Sequence, residues 1–119
     1  MNKTQALNNF WNSFDLPAYD VSSVPDGAAL PYITYSVAED DFGYPVSLSA
    51  SIWYRSMRWD DISLKSKQIA NKITRGGIIV SYDDGAIWIT KGTPFAQRIQ
   101  DEDNSIRRIF INVEVEFLD

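Results

Sequence analysis

Residues 84–117 read "DGAIWITKGTPFAQRIQDEDNSIRRIFINVEVEF", and the way this stretch pairs with itself decides the fold. Asp84-Gly85 suits a two-residue type I′ turn, so "IIVSYDDGAIWIT" reads as a hairpin. Counting outward from that turn opposes Tyr82 to Ile87, Ser81 to Trp88, Val80 to Ile89 and Ile79 to Thr90, and opposed residues share a face. Tyr82, Ile87, Val80, Ile89 and Ile78 then belong to the core face, with Trp88 and Ile79 on the other. A last strand is expected over Ile106 to Leu118. There Ile109, Ile111, Val113, Val115 and Phe117 alternate with Arg108, Phe110, Asn112, Glu114 and Glu116. Between hairpin and strand, Lys91 to Ser105 reads as a long loop. It combines Pro94-Phe95 with Gln97, Arg98 and the acidic run Asp101-Glu102-Asp103, and loops of this length in small domains are uncommon unless functional or disordered. It is expected to be loosely ordered in the free subunit and to dock on a partner.

Upstream, Leu7, Phe10, Trp11 and Phe14 form an apolar stripe at helical spacing, which predicts a helix over about residues 3–15. "DLPAYDVSSVPDGAALP" carries three prolines and a Pro-Asp-Gly turn signal and reads as an ordered or semi-ordered loop. "YITYSV" and "VSLSASIWYR" alternate as strands, joined by "EDDFGYP". In the second, Val46, Leu48, Ala50, Ile52 and Tyr54 face the core, while Trp53 stands among serines on the opposite face. A second helix is predicted over about residues 59–75, with Ser56 or Asp60 as its cap, Ile62, Ile69 and Ile73 as its buried stripe, and Gly76-Gly77 as its stop.

The order helix, strand, strand, helix, hairpin, strand predicts one α+β domain over residues 1–119. Its largely antiparallel five-stranded sheet should carry both amphipathic helices packed on one face. Strand order is not derivable at this stage. On the uncovered face, the candidates for a subunit or partner interface are Trp53, Trp88 and Phe110, joined from the loop by Phe95 and Arg98.

Composition narrows the chemistry. The 119 residues contain no Cys and no His, which removes thiolate and imidazole nucleophiles, disulfides and the commonest transition-metal ligands. A net charge of −5 opposes a domain whose main work is gripping nucleic-acid phosphates. The N-terminal "MNKTQALNNFWNSF" lacks the apolar core of a secretory signal, and no run is long and apolar enough to cross a membrane, so a soluble protein is expected. "DEDN" at Asp101 to Asn104 fails the EF-hand pattern, which needs Gly and Glu where Ile106 and Asn112 stand. Asp83-Asp84 is explained by the turn, and Gly76-Gly77 lacks the Gly-Lys-Ser/Thr of a phosphate loop. No catalytic, cofactor-binding or metal residue is therefore expected, and the acids 101–103 should pair loosely with Arg98, Arg107 and Arg108.

From Pro31 onward the chain resembles the small tail terminator, or tail completion, proteins of long-tailed bacteriophages. The resemblance rests on "LPYITYSV", "VSLSASIWYRS" leading through Trp59 into helix 2, the "RGG" stop, "DGAIWITKGTPFAQ" and "IRRIFINVEVEFL". It implies a homo-oligomeric ring, usually a hexamer, at the head–tail interface of a virion assembled in the host cytoplasm. The ring would cap the tail tube protein, present a surface to the head connector or stopper protein, and pass DNA only as cargo through its lumen. A head-side connector or stopper, or another tail assembly protein, is the nearest alternative. A small ligand-binding domain or enzyme of unknown substrate is the alternative of another class.

Overall fold

Asn2 starts the first helix with a reciprocal cap. Its side chain accepts from the Gln5 N–H at 2.9 Å, and the Gln5 side chain accepts from the Asn2 N–H at 2.9 Å. In the computed structural model, which describes residues 1–37 and 45–118, α1 runs Lys3–Trp11. The predicted helix to residue 15 is shortened because the chain tightens into a 3-10 turn at Asn12–Phe14 and stops at Asp15 in the left-handed region, φ 61°. The connection expected over Glu39 to Pro45 lies, save Pro45, outside the described residues.

The remaining elements are β1 (Ala18–Asp20), β2 (Tyr32–Tyr35), β3 (Val46–Arg55), α2 (Asp60–Lys72), β4 (Ile78–Tyr82), β5 (Gly85–Gln100) and β6 (Ile106–Leu118). They form one curled six-stranded sheet in the order β1-β2-β3-β6-β5-β4. The five-stranded, largely antiparallel sheet expected from the sequence is thus corrected on two counts. A sixth strand, β1, lies parallel to β2 with Ala18 opposite Ile33, which makes the sheet mixed. It escaped the reading of 15–31 as loop because three residues are too few to show an alternation.

The second correction concerns Lys91 to Ser105. β5 does not end at Thr90 but continues to Gln100, and Ala96–Gln100 pair regularly with Ile111–Arg107 of β6. A register shift between Lys91 and Ala96 interrupts the ladder. At the bulge a Cβ on buried Gly92 would meet the Asn112 Cβ at 2.8 Å, so Gly92 lets the two backbones approach. The Asn112 side chain donates to the Pro94 carbonyl at 3.0 Å, giving the irregular stretch a partner of its own. What remains as connection is residues 101–105.

The hairpin register also slips. Tyr82 opposes Gly85, Val80 opposes Ile87 and Ile79 opposes Trp88, so the turn is Asp83-Asp84. Neither aspartate has the positive φ that a type I′ turn demands. The N-terminal end of α1 holds this turn instead: the Asp83 N–H donates to the Met1 carbonyl at 2.8 Å, and the Met1 ammonium pairs with the Asp83 carboxylate. Because the slip is two residues, side-chain parity is unchanged.

One buried cluster joins the sheet's inner face to both helices. Ile33, Ile52, Ile87, Ile89, Ile111 and Val113 meet Leu7, Phe10, Trp11 and Phe14 from the first helical segment and Ile62, Ile69 and Ile73 from the second. α2 is preceded by Trp59 as its N-cap residue, with no side-chain hydrogen bond. Ser56, one of the expected caps, instead accepts from the Arg58 N–H at 3.0 Å.

Candidate functional site

The outer face of the sheet is built by register. Trp53 lies between Tyr32 on β2 and Arg108 on β6, while Phe110 lies between Ser51 and Gln97. Arg108 connects the two aromatics. Its guanidinium sits 4.6 Å from the Trp53 ring centroid and 5.9 Å from that of Phe110, and its Nε donates to the Ser51 hydroxyl at 3.0 Å. Trp53 Nε1 donates to the Thr34 hydroxyl at 3.0 Å, which satisfies the polar end of the indole. Tyr19 meets Tyr32 edge to face at 5.7 Å, extending the band to β1. A shallow depression of about 90 Å³ lies between Val21, Ser36, Ser49 and this band.

Trp88 shares the face but not the patch. It opposes Glu116, six positions along β6 from Phe110, or roughly 20 Å at the strand rise of about 3.3 Å per residue. Its Nε1 donates to the Gly76 carbonyl at 3.0 Å, and Trp88 and its pair mate Ile79 remain 39% and 62% exposed. The three aromatics expected on one face thus divide into a Trp53–Phe110 patch and a separate Trp88–Ile79 patch. Trp88→Ala is expected to lower stability by about 1–2 kcal/mol, the worth of one hydrogen bond and part of an indole surface. A loss of twice that size in a urea titration would mean the indole is an inward anchor and not available to a partner.

Phe95 and Arg98 stand on β5, not on a loop. Phe95 is half-buried at the margin of the core, with the Lys91 ammonium 5.8 Å from its ring. Phe95→Ala should accordingly cost about 1–2 kcal/mol of stability, in place of the negligible change a free loop would show. A melting temperature within a degree of wild type would contradict that packing.

Arg98 is exposed and lies 4.8 Å from the Trp59 ring, with Arg107 at 5.4 Å from the same ring. A cavity of about 390 Å³ opens between these three residues and the Asp101–Asn104 turn. Arg107 is anchored by backbone carbonyls: it donates to Asn104 at 2.8 Å and to Met57 at 2.9 Å. Among the described residues its buried Nε finds no acceptor. Trp59, Arg107, Arg108, Tyr19 and Tyr32 were not singled out as site residues from the sequence. Strand parity was the available signal for Arg108, since it shares the outer face with Phe110.

The acidic run shapes its own turn. Asp101 accepts from the Asp103 N–H at 2.9 Å, and Asp103 accepts from the Ser105 N–H at 2.8 Å and hydroxyl at 2.7 Å. Those Ser105 bonds, hydroxyl first, hold the Asp103 carboxyl below its usual range, with a smaller contribution from Arg55. The linkage is therefore present above the ordinary carboxylate range and lost as pH falls through the lowered value. The loose pairing expected with Arg98, Arg107 and Arg108 is replaced by a distant contact from Arg55 to Asp103 at 3.9 Å. Elsewhere, burial and then Asp61 push the Tyr54 hydroxyl upward.

No group of three or more His, Cys, Asp or Glu among the described residues is placed to hold a metal ion. A hollow of about 690 Å³ is an open trough between α1 and Tyr35 lined by Thr4, Gln5, Asn8 and Asn9. Among the described residues its one lining carboxylate, Asp20, accepts from the Ser22 hydroxyl at 2.8 Å and N–H at 3.0 Å. No described helix is long and apolar enough to cross a membrane.

These features define an α+β chain with a half-open mixed sheet, two helices on its inner face and aromatic–arginine surfaces outside the core. No family model and no curated protein sequence matches it. Among solved structures it is similar to a chain of the "Virion of native gene transfer agent (GTA) particle", with a TM-score of 0.61 and 16% sequence identity over 95% of this chain and 84% of that one. At that identity the likeness shows the fold: this chain is folded like a chain of that virion.

Proposed function

We propose that the protein is a structural subunit of a phage-like virion and acts as a tail terminator. In this role it forms a ring on the end of the tail tube, stops further tube polymerisation and offers a surface for head attachment. The observation that carries this reading is the fold likeness to a virion chain across 95% of the sequence, joined to the resemblance of the strand and hairpin segments to tail terminator proteins.

The surfaces suit such work. A ring needs two different patches on each subunit that fit one another. This chain has two separated aromatic patches and a cleft lined by Arg98, Arg107 and Asp101 beside Trp59. Large aromatics and arginines are the usual anchors of interfaces. An acidic ring lumen would not retain passing DNA phosphates.

Electron microscopy of the purified protein, alone at high concentration and mixed with isolated tails, tests the reading. Closed rings, free or seated at one end of the tube, are the expected result. A protein that stays monomeric at every concentration and leaves tube ends bare would refute it. Rings that bind isolated heads but not tails would favour the head-side connector.

A further inference from the structure

The outward rows of the sheet bring buried hydroxyls beside one arginine. Thr34, Ser51 and Phe110 form one cross-strand row, and Tyr32, Trp53 and Arg108 form the next. Thr34 and Ser51 are buried although both lie on the outer face. A buried hydroxyl is tolerated when its hydrogen-bonding capacity is used. Here each oxygen is engaged and each proton is not. Thr34 accepts from Trp53 Nε1 and Ser51 accepts from Arg108 Nε, both at 3.0 Å, and among the described residues neither hydroxyl donates.

Arg108 is left in the same condition. Its Nε is bound to Ser51 and its guanidinium lies 4.6 Å from the Trp53 ring and 5.9 Å from the Phe110 ring, while its terminal nitrogens find no acceptor among the described residues. Rings beside a guanidinium keep water off its plane and leave its edge as the route for hydrogen bonds. Along the outer face of β6 the next carboxylate, Glu114, is six positions away, roughly 20 Å at a strand rise of about 3.3 Å per residue. It is itself held by the Ser47 hydroxyl at 2.7 Å.

These donors meet at the depression of about 90 Å³, which no carboxylate lines. Its floor donates and carries a positive charge, whereas its rim is apolar, made by Trp53, Phe110 and exposed Val21. Such a floor calls for an anionic acceptor, and such a rim calls for an apolar carrier. A side-chain carboxylate meets both demands: its two oxygens match the paired N–H groups at the end of the guanidinium, and its remaining lone pairs can take the hydroxyl protons. A nucleic-acid backbone fits less well, because a polyanion lying along β6 would also meet Glu114 and Glu116 on the same face.

We propose that the Arg108 depression is a receptor for an acidic side chain of a partner protein, an Asp or Glu set among apolar neighbours that cover Trp53 and Phe110. The proposal rests on the reading of the outer face as a docking surface and adds the chemistry of what docks there.

Nuclear magnetic resonance titration of the full chain with sodium acetate, against sodium chloride at matched ionic strength, tests the site. The side-chain N–H signals of Arg108 and Trp53 should shift and saturate with acetate alone. Arg108→Gln should raise the dissociation constant by about tenfold or more, and Arg75→Gln, at an exposed arginine elsewhere, should leave it unchanged. Arg108→Lys keeps the charge and the stem in case the glutamine variant folds poorly, and it should still bind several-fold more weakly because an ammonium lacks the fork. The capped peptide acetyl-Leu-Glu-Leu-amide should bind about tenfold more tightly than acetate, since its leucines cover the rim. Dimethyl phosphate, with the same single charge in the shape of a phosphodiester, should bind more weakly than acetate. Arg108 variants that bind acetate like wild type, or shifts scattered over the exposed arginines, would overturn the site. A peptide no tighter than acetate, or dimethyl phosphate tighter than both, would overturn the acidic protein partner. All of these outcomes are read on the free chain, so they leave ring closure to be decided separately by electron microscopy.

Discussion

Gly77→Ala is expected to unfold about 10 °C below wild type, while Gly76→Ala one residue earlier melts within a degree or two of it. Gly77 holds φ +87°, and a Cβ there would lie 2.6 Å from the Ile89 carbonyl oxygen and 2.6 Å from Trp88 Nε1. The first neighbour is backbone at the centre of β5 and cannot move without disturbing the β4–β5 ladder. The second is already fixed by its bond to the Gly76 carbonyl. Left-handed strain of about 1–3 kcal/mol and crowding of about 1–3 kcal/mol together put the loss near 3 kcal/mol. For a domain of this size each kcal/mol corresponds to roughly 4 °C in melting temperature. At Gly76 a Cβ meets nothing within 4 Å and φ is not positive, so Ala there removes only unfolded-state freedom. Equal melting temperatures for the two variants, measured by circular dichroism, would refute the close approach of this turn to β5. The pair also bears on the outer face. Displacing Trp88 in Gly77→Ala should blue-shift or broaden part of the tryptophan emission, and Gly76→Ala should leave it alone.

Which parts of this fold the sequence disclosed follows from the range of the forces involved. Alternation over Val46–Arg55 and Ile106–Leu118 marked the buried positions because side-chain direction in a strand is a local property. Leu48, Ala50 and Ile52, and Ile109 through Phe117 at every second position, are buried, while Val46 and Tyr54 are half-buried and Ser51, on the other face, is buried as well. The same local rule survived the error at the hairpin, since a slip of two residues returns each side chain to its own face. The rule failed where the backbone left the regular pleat. Gly92 and Pro94 at the bulge broke the period between Lys91 and Ala96, so a continuing strand looked like a loop.

Strand order lies beyond any local pattern. That β6 sits between β3 and β5 is decided by pairings between residues far apart in sequence, such as Ser51 with Phe110. The candidate site inherits the same division. Parity put Trp53 and Phe110 on the outer face, and their meeting through Arg108 needed β3 beside β6. Trp88 was placed on the right face by the same rule and separated from them by its position along the strand. The Trp59 cleft was invisible because it joins the residue before α2 to the far ends of β5 and β6.

Trp11→Ala should cost about 3–5 kcal/mol, the range for removing a fully buried large aromatic, and should be the most damaging single truncation in the chain. The indole is 2% exposed and is the hub of an aromatic cluster. Phe10 meets it edge to face at 4.9 Å, Phe14 lies at 6.4 Å, and Tyr35 of β2 stacks on it at 6.4 Å with 16° between the ring planes. Through Tyr35, whose hydroxyl accepts from Asn8 at 2.6 Å, the cluster ties α1 to the sheet on the side where β1 is added. Stabilities of small domains run to about 5–15 kcal/mol in total, so a loss of this size leaves the variant marginal at physiological temperature. Trp53→Ala provides the contrast, because Trp53 is only half-buried on the outer face and its loss should cost about 1–2 kcal/mol. Urea titrations of the two variants should therefore separate by at least about 2 kcal/mol. If Trp53→Ala is as damaging as Trp11→Ala, the outer aromatic patch is part of the monomer's own core, and its reading as a surface for partners fails.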